Sequence, residues 1–175
     1  MSAAVDASAT AEWRTPSLVR RMSCFLYEGV LLFGVVWAAG MVYSIAMGQR
    51  HAMTGQTGMQ VVQFLVLGLY FVWFWSRTGQ TLPMQTWNIR LVTSNGEPVS
   101  PLRAACRYLA AWLWFLPGLA AAHFAGIQGG LAVSIILVAG VLTYAGLSLL
   151  HPSRQFLHDA LCGTRLIEWK AVRKR

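Results

Sequence analysis

Four stretches of this chain are longer and more apolar than the helices of an ordinary soluble domain. Residues 22–47 carry a single charge, Glu28. Residues 57–76, 108–126 and 129–150 contain no Asp, Glu, Lys or Arg. A bilayer core of ~30 Å is crossed by ~20 apolar residues in a helix. Inside lipid the backbone must satisfy its own hydrogen bonds, so each run is expected to be helical. The spacing predicts spans near 22–47, 57–76, 104–125 and 129–150. Pro117 falls inside the third and predicts a kink there. The fold class that follows is an all-α membrane protein: a four-transmembrane-helix bundle. A removable leader is a poor reading of the first run, which is too long and has 21 residues before it.

Composition agrees with this reading. Hydrophobic residues make up 56% of the 175-residue chain and charged residues 11%, against a usual charged share of about 25%. Such a balance is the opposite of the one that keeps a chain disordered. The net charge of +8 would suggest nucleic acid in a soluble protein. Here the basic residues are placed as flanks. Of 14 Lys and Arg, 13 lie in the N-terminal segment, in the 77–107 connection and in the tail after 150; only Arg50 lies in another loop. The positive-inside rule then puts both termini in the cytoplasm, as an even number of spans requires. The basic flanks face the anionic cytoplasmic leaflet of a cell (inner) membrane, and no nucleic acid partner is expected. Cys24, Cys106 and Cys162 are odd in number and lack metal-type spacing.

The longest connection lies between spans 2 and 3. Residues 86–93 alternate and are rich in β-formers, and Asn95-Gly96 is a turn pair. Residues 164–169 alternate as well. Both leave the membrane on the same side, so they are expected to pair as a small cytoplasmic β element. Residues 1–17 read as a flexible N-terminus, 18–168 as the membrane domain and 169–175 as a basic tail.

Glu28 is the one acidic residue inside an apolar run. A carboxylate there is costly unless it is paired, wetted or protonated. Arg21 lies seven residues earlier, on nearly the same helical face. Arg20, Arg21 and Arg107 all leave the membrane on that side, so an ion pair to Glu28 is expected. A second charged group is His158-Asp159, in a short segment that Gly163 should end as a helix. Asp159 is expected to meet Arg20, Arg21 or Arg107. No nucleophile motif accompanies the His-Asp pair, and His51, His123, His151 and His158 form no metal signature. An enzyme, a cofactor and a bound metal are therefore not expected. Gly29, Gly34 and Gly40 are expected to allow close helix approach, and most of Gln60, Gln63, Ser134, Thr143, Tyr144 and Ser148 to bond between helices.

Three segments together resemble the RDD family of membrane proteins. The first is Arg20-Arg21-Met22-Ser23-Cys24-Phe25-Leu26-Tyr27-Glu28-Gly29, similar to the family's Arg-rich entry followed by an Asp inside the first span. The second runs from Gly79-Gln80-Thr81-Leu82 through Ile89-Arg90-Leu91-Val92 to Asn95-Gly96-Glu97-Pro98-Val99-Ser100. The third is Arg154 to Thr164, with His158-Asp159 and Gly163-Thr164. The family's one Arg and two Asp would fall on Arg21, Glu28 and Asp159, with Arg20, Arg107 and His158 as supporting residues. Glu28 replaces the family's first Asp, and Pro83 stands where many members have Gly. The resemblance implies a small multi-pass membrane protein, with a role in transport or ion homeostasis. The alternative is a non-catalytic accessory or assembly factor for a larger complex. Four spans are few for a pathway, so a second copy or a membrane partner protein is expected.

Overall fold

The computed structural model describes residues 14–48 and 56–169. Most of the expected N-terminal segment, the loop carrying Arg50 and the last residues of the basic tail lie outside the described residues. Four helices are long and apolar enough to cross a membrane. The first, α1 (Leu18–Ala46), starts at Ser17, whose side chain accepts a hydrogen bond from the Arg20 N–H. The second, α2 (Gln56–Arg77), ends on a basic residue. After a short α3 (Leu82–Thr86) comes β1 (Ile89–Thr93). The third span is α4 (Pro101–Ala111), a 3-10 turn (Trp112–Trp114) and α5 (Leu116–Phe124). The fourth is α6 (Gly130–Leu147), followed by α7 (Leu157–Leu161) and β2 (Thr164–Glu168).

The third span is broken rather than gently kinked. Pro117 lacks the N–H that would bond Leu113, and its ring crowds that carbonyl. The chain therefore leaves α-geometry ahead of it, over Trp112 to Phe115, and restarts with the proline in the first turn of α5. Helix α2 packs against α1 and α4, and α5 packs against α6. The Gly118 and Gly140 backbones meet there; a Cβ on Gly140 would lie 3.6 Å from the Gly118 Cα. The expectation for Gly29 and Gly34 does not hold, since nothing lies within 4 Å of a Cβ at either. Outer faces carry exposed large apolar residues, among them Phe33, Trp37, Leu65, Leu69 and Leu142. In a soluble protein this would be an aggregation surface; against lipid it is the favourable face.

One end of the bundle holds the small sheet. Strands β1 and β2 run antiparallel, with Leu91 opposite Leu166 and Thr93 opposite Thr164. This is the non-local pairing that the two alternating stretches predicted, although the first stretch is strand only from Ile89, Thr86 being the last residue of α3. Ile89 and Leu91 are fully buried, so the sheet forms the floor of the bundle core. Gln155 extends it: its side chain accepts from the Leu166 N–H and donates to the Leu166 carbonyl, as a neighbouring strand would. The Arg14 carbonyl accepts from the Glu168 N–H. Both described ends of the chain thus meet at the sheet end.

Candidate functional site

The buried residues of α1 are Arg21, Cys24 and Glu28. They recur at the spacing of one helical face, so an otherwise apolar helix turns two charged groups inward. Arg107 and Tyr108 of α4 are buried facing the same region. His158 and Asp159 come up from α7, which ends at Gly163 in the left-handed region, φ +60°.

Asp159 is 0% exposed and Arg107 6%. The Arg107 Nε donates to Asp159 Oδ1 at 2.7 Å. The guanidinium lies 4.1 Å above the Trp75 ring, a cation-π contact that replaces some lost hydration. Thr164 donates to Asp159 Oδ1 at 3.2 Å. Burial alone would push the Asp159 carboxyl up. The Arg107 guanidinium, the nearby His158 and these hydrogen bonds outweigh that and hold it below the usual carboxylate range. His158 shares a hydrogen bond with the Tyr144 hydroxyl, 3.0 Å from Nδ1, and that hydroxyl also accepts from the His158 N–H. Burial pushes His158 down to about 4, against the partial opposition of Asp159. It is neutral at ordinary pH.

Glu28 is held differently, and the expected ion pair is not what the structure contains. The Tyr70 hydroxyl donates to Oε1 at 2.7 Å, and the Thr81 hydroxyl donates to Oε2 at 2.5 Å. Among the described residues no Lys, Arg or His forms an ion pair with Glu28. The three cations named for it are engaged elsewhere or set apart. Arg107 is taken by Asp159. Arg20 points outward and pairs with Glu168 at 2.9 Å, where both side chains are about one-third exposed. Arg21 donates to Ser148 at 3.4 Å and stacks 4.3 Å over Phe156. The physical reason is reach. One helical heptad separates Arg21 from Glu28 by ~10 Å along the axis, and each side chain finds a nearer partner on a different element.

Of the motif residues, Thr81 is the one whose role sequence reasoning missed. It caps α3, accepting from the Met84 N–H, while donating to Glu28. Gly79, two residues earlier, is the strut for β1: its carbonyl accepts from the Leu91 N–H at 2.8 Å. At φ +70° a Cβ there would lie 2.7 Å from the Leu91 carbonyl oxygen, so only glycine fits. The Gly79-Gln80-Thr81-Leu82 run therefore ties the sheet to the acidic group in the first span. Tyr70 carried no signal in an aromatic-rich helix. Ser148 and Tyr144 do bond between elements, to Arg21 and His158, whereas Ser134, expected to do the same, donates to the Gly130 carbonyl of its own helix.

A cavity of about 340 Å³ joins these groups. Arg21, Glu28, Arg107 and His158 reach its wall, and the remainder is mostly aromatic and aliphatic, including Trp75 and Trp114. Among the described residues no three of His, Cys, Asp and Glu gather closely enough to hold a metal ion.

The model for the RDD family matches residues 15–163, a stretch that takes in the first two motif segments and the third as far as Gly163. No match was found among curated proteins or among solved structures.

Proposed function

This chain belongs to the RDD family, a family of membrane proteins, and we propose that it moves small ions across the bilayer, with Glu28 as the group that exchanges a proton or a cation. The observation that supports this is the pair of hydroxyl partners on Glu28. A carboxylate locked to a guanidinium is fixed in charge, whereas one held by two hydroxyls can be ionised or protonated without breaking an ion pair. It also faces a cavity, as a group that must meet a solute requires. The supporting roles are divided. Arg107 and Asp159 lock α4 to α7, and Thr81 and Tyr70 orient Glu28. The chain is a multi-pass protein of the cell membrane with both termini cytoplasmic, a reading supported by the basic flanks gathered at the sheet end. It performs no covalent chemistry in this reading, and a second copy or a membrane partner completes the pathway that four spans leave narrow.

A second reading, a non-catalytic accessory protein of a larger membrane complex, is favoured by the largely apolar wall of the cavity. One experiment separates the two. The full chain is reconstituted in liposomes enclosing a pH-sensitive dye, and a Na+ or K+ gradient is imposed. Gradient-driven proton movement that Glu28→Gln abolishes, while leaving the melting temperature in place, is the expected result. Liposomes carrying the wild-type chain that stay silent with both cations would overturn the transport reading and leave the accessory one.

A further inference from the structure

Arg21 is a buried cation with too few partners. It is 4% exposed, yet its Nε and Nη1 make no hydrogen bond, and Nη2 makes only the 3.4 Å contact to Ser148. Asp159 acts on it electrostatically, but neither carboxylate oxygen bonds it. A buried charge left in this state is costly. Of the anions nearby, Asp159 gives Oδ1 to Arg107 and its Oδ2 makes no hydrogen bond to Arg21 or any other group among the described residues, while Glu28 is bonded to the hydroxyls of Tyr70 and Thr81. Arg21 lines the 340 Å³ cavity, a volume at the lower end of ligand pockets, which run from ~300 to ~1,000 Å³. Such pockets pair mostly apolar walls with a few placed polar groups, and this one has that composition.

The cavity also has a side entrance. Gly29 lines it and is exposed, and nothing lies within 4 Å of a Cβ built there. Gly29 lies within the first span, so the opening faces lipid rather than water. A ligand entering this way brings an apolar chain with it.

We propose that the cavity is a binding site for an acidic amphiphile drawn from the bilayer, its carboxylate or phosphate on Arg21 and its acyl chain along the aromatic wall. Arg21 supplies the charge-assisted hydrogen bonds, and Phe25, Trp114 and Phe156 supply the chain contacts. The head group satisfies the donors that the protein leaves open, and the chain fills space that would otherwise stand empty between the helices. Glu28 lines the same cavity, but the binding proposed here rests on Arg21 and the aromatic wall and holds whether or not Glu28 exchanges an ion.

The test is native mass spectrometry of the full-length chain in a neutral detergent, titrated with four probes. Dodecanoate and lysophosphatidylglycerol carry both an anion and a chain. Dodecanol has the chain alone, and inorganic phosphate the anion alone. The expected result is saturable one-to-one binding of the first two, at least ~tenfold tighter than dodecanol, the scale of a hydrogen bond to a charged group. Phosphate alone should not bind measurably. Arg21→Gln should remove the preference for the acids, and Arg21→Lys should keep part of it. Gly29→Leu, whose Cβ meets nothing within 4 Å, should weaken every chain-bearing probe without lowering the melting temperature. Should Arg21→Gln fail to fold, the Gly29→Leu variant and the dodecanol comparison still decide. Equal binding of dodecanol and dodecanoate would overturn the role of Arg21. Phosphate binding as tightly as lysophosphatidylglycerol would overturn the acyl-chain site.

Discussion

Asp159 and Glu28 are both buried acids, Glu28 on the cavity wall and Asp159 behind it on Arg107, and the molecule treats them in opposite ways. Asp159 has a guanidinium at 2.7 Å that is itself seated on an indole ring. Glu28 has two hydroxyls and no ion pair among the described residues. The first arrangement fixes a charge, and the second tolerates a change of charge. The difference also divides the labour between helices. The Arg107–Asp159 pair joins the third span to the segment after the fourth, so it belongs to assembly. Glu28 is reached from α2 and from the N-cap of α3, which carry its hydrogen bonds but set no counter-charge against it among the described residues.

The largest break in this comparison should come from Asp159→Asn. It leaves the Arg107 guanidinium buried over Trp75 without its counter-charge, and losing one partner of a buried pair costs ~3–5 kcal/mol. Thermal unfolding in detergent should show a large fall in melting temperature. A melting temperature unchanged by Asp159→Asn would mean that the pair is not a lock.

Acid should act on the same side of the comparison. His158 stays neutral in the fold down to about 4, from an ordinary value of 6.5. Its folded value is depressed, so in this interval the unfolded chain binds more protons. Its contribution to stability is therefore complete above pH 6.5 and is lost as pH falls towards 4. The shift corresponds to on the order of 3 kcal/mol at most. Melting measured from pH 7 to pH 4 should fall across that interval, and the slope should flatten in His158→Gln. A slope that is the same in that variant would assign the acid sensitivity to other groups.

A smaller effect is expected from Thr81→Val. It removes one of the two hydroxyls on Glu28 together with the α3 cap. Hydrogen bonds to a charged group contribute ~1.5–3 kcal/mol, and those to a neutral carboxyl less, about 0.5–1.5 kcal/mol. The loss should therefore be larger at high pH, where Glu28 is charged, than at low pH. Melting of this variant at two pH values checks it, and a loss independent of pH would place no charge change on Glu28.

Much of this architecture was legible in the sequence. The four spans followed from run length, and the β1–β2 pairing followed from two alternating stretches leaving the membrane on one side. The positions of Arg21, Glu28, Arg107, His158 and Asp159 in one region followed from the periodicity of the first span and the order of the motifs. Their partners did not. Reach along a helix sets which buried charges can touch, and that depends on how α4 and α7 sit beside α1, which no local pattern encodes. Thr81 was visible as part of a motif, but its dual role as cap and donor needs the turn at Gly79, where φ is +70°. Tyr70 was hidden because one hydroxyl among many aromatic residues of α2 leaves no periodic trace. The broken third span was half legible: Pro117 located the disturbance, while its placement ahead of the proline reflects the geometry of restarting a helix.

If Glu28 is held for its ability to change charge and not for the fold, an uncharged side chain of the same shape should leave the fold intact. The melting temperature of Glu28→Gln, measured beside wild type and Asp159→Asn in the same detergent, tests it most directly. The amide keeps the shape of the side chain and removes a buried carboxylate that has no cationic partner to abandon, so little stability should be lost, less than about 1 kcal/mol. A melting temperature near that of the wild type, with Asp159→Asn far below, is the expected result. A fall as large as that of Asp159→Asn would contradict it and make Glu28 a structural charge.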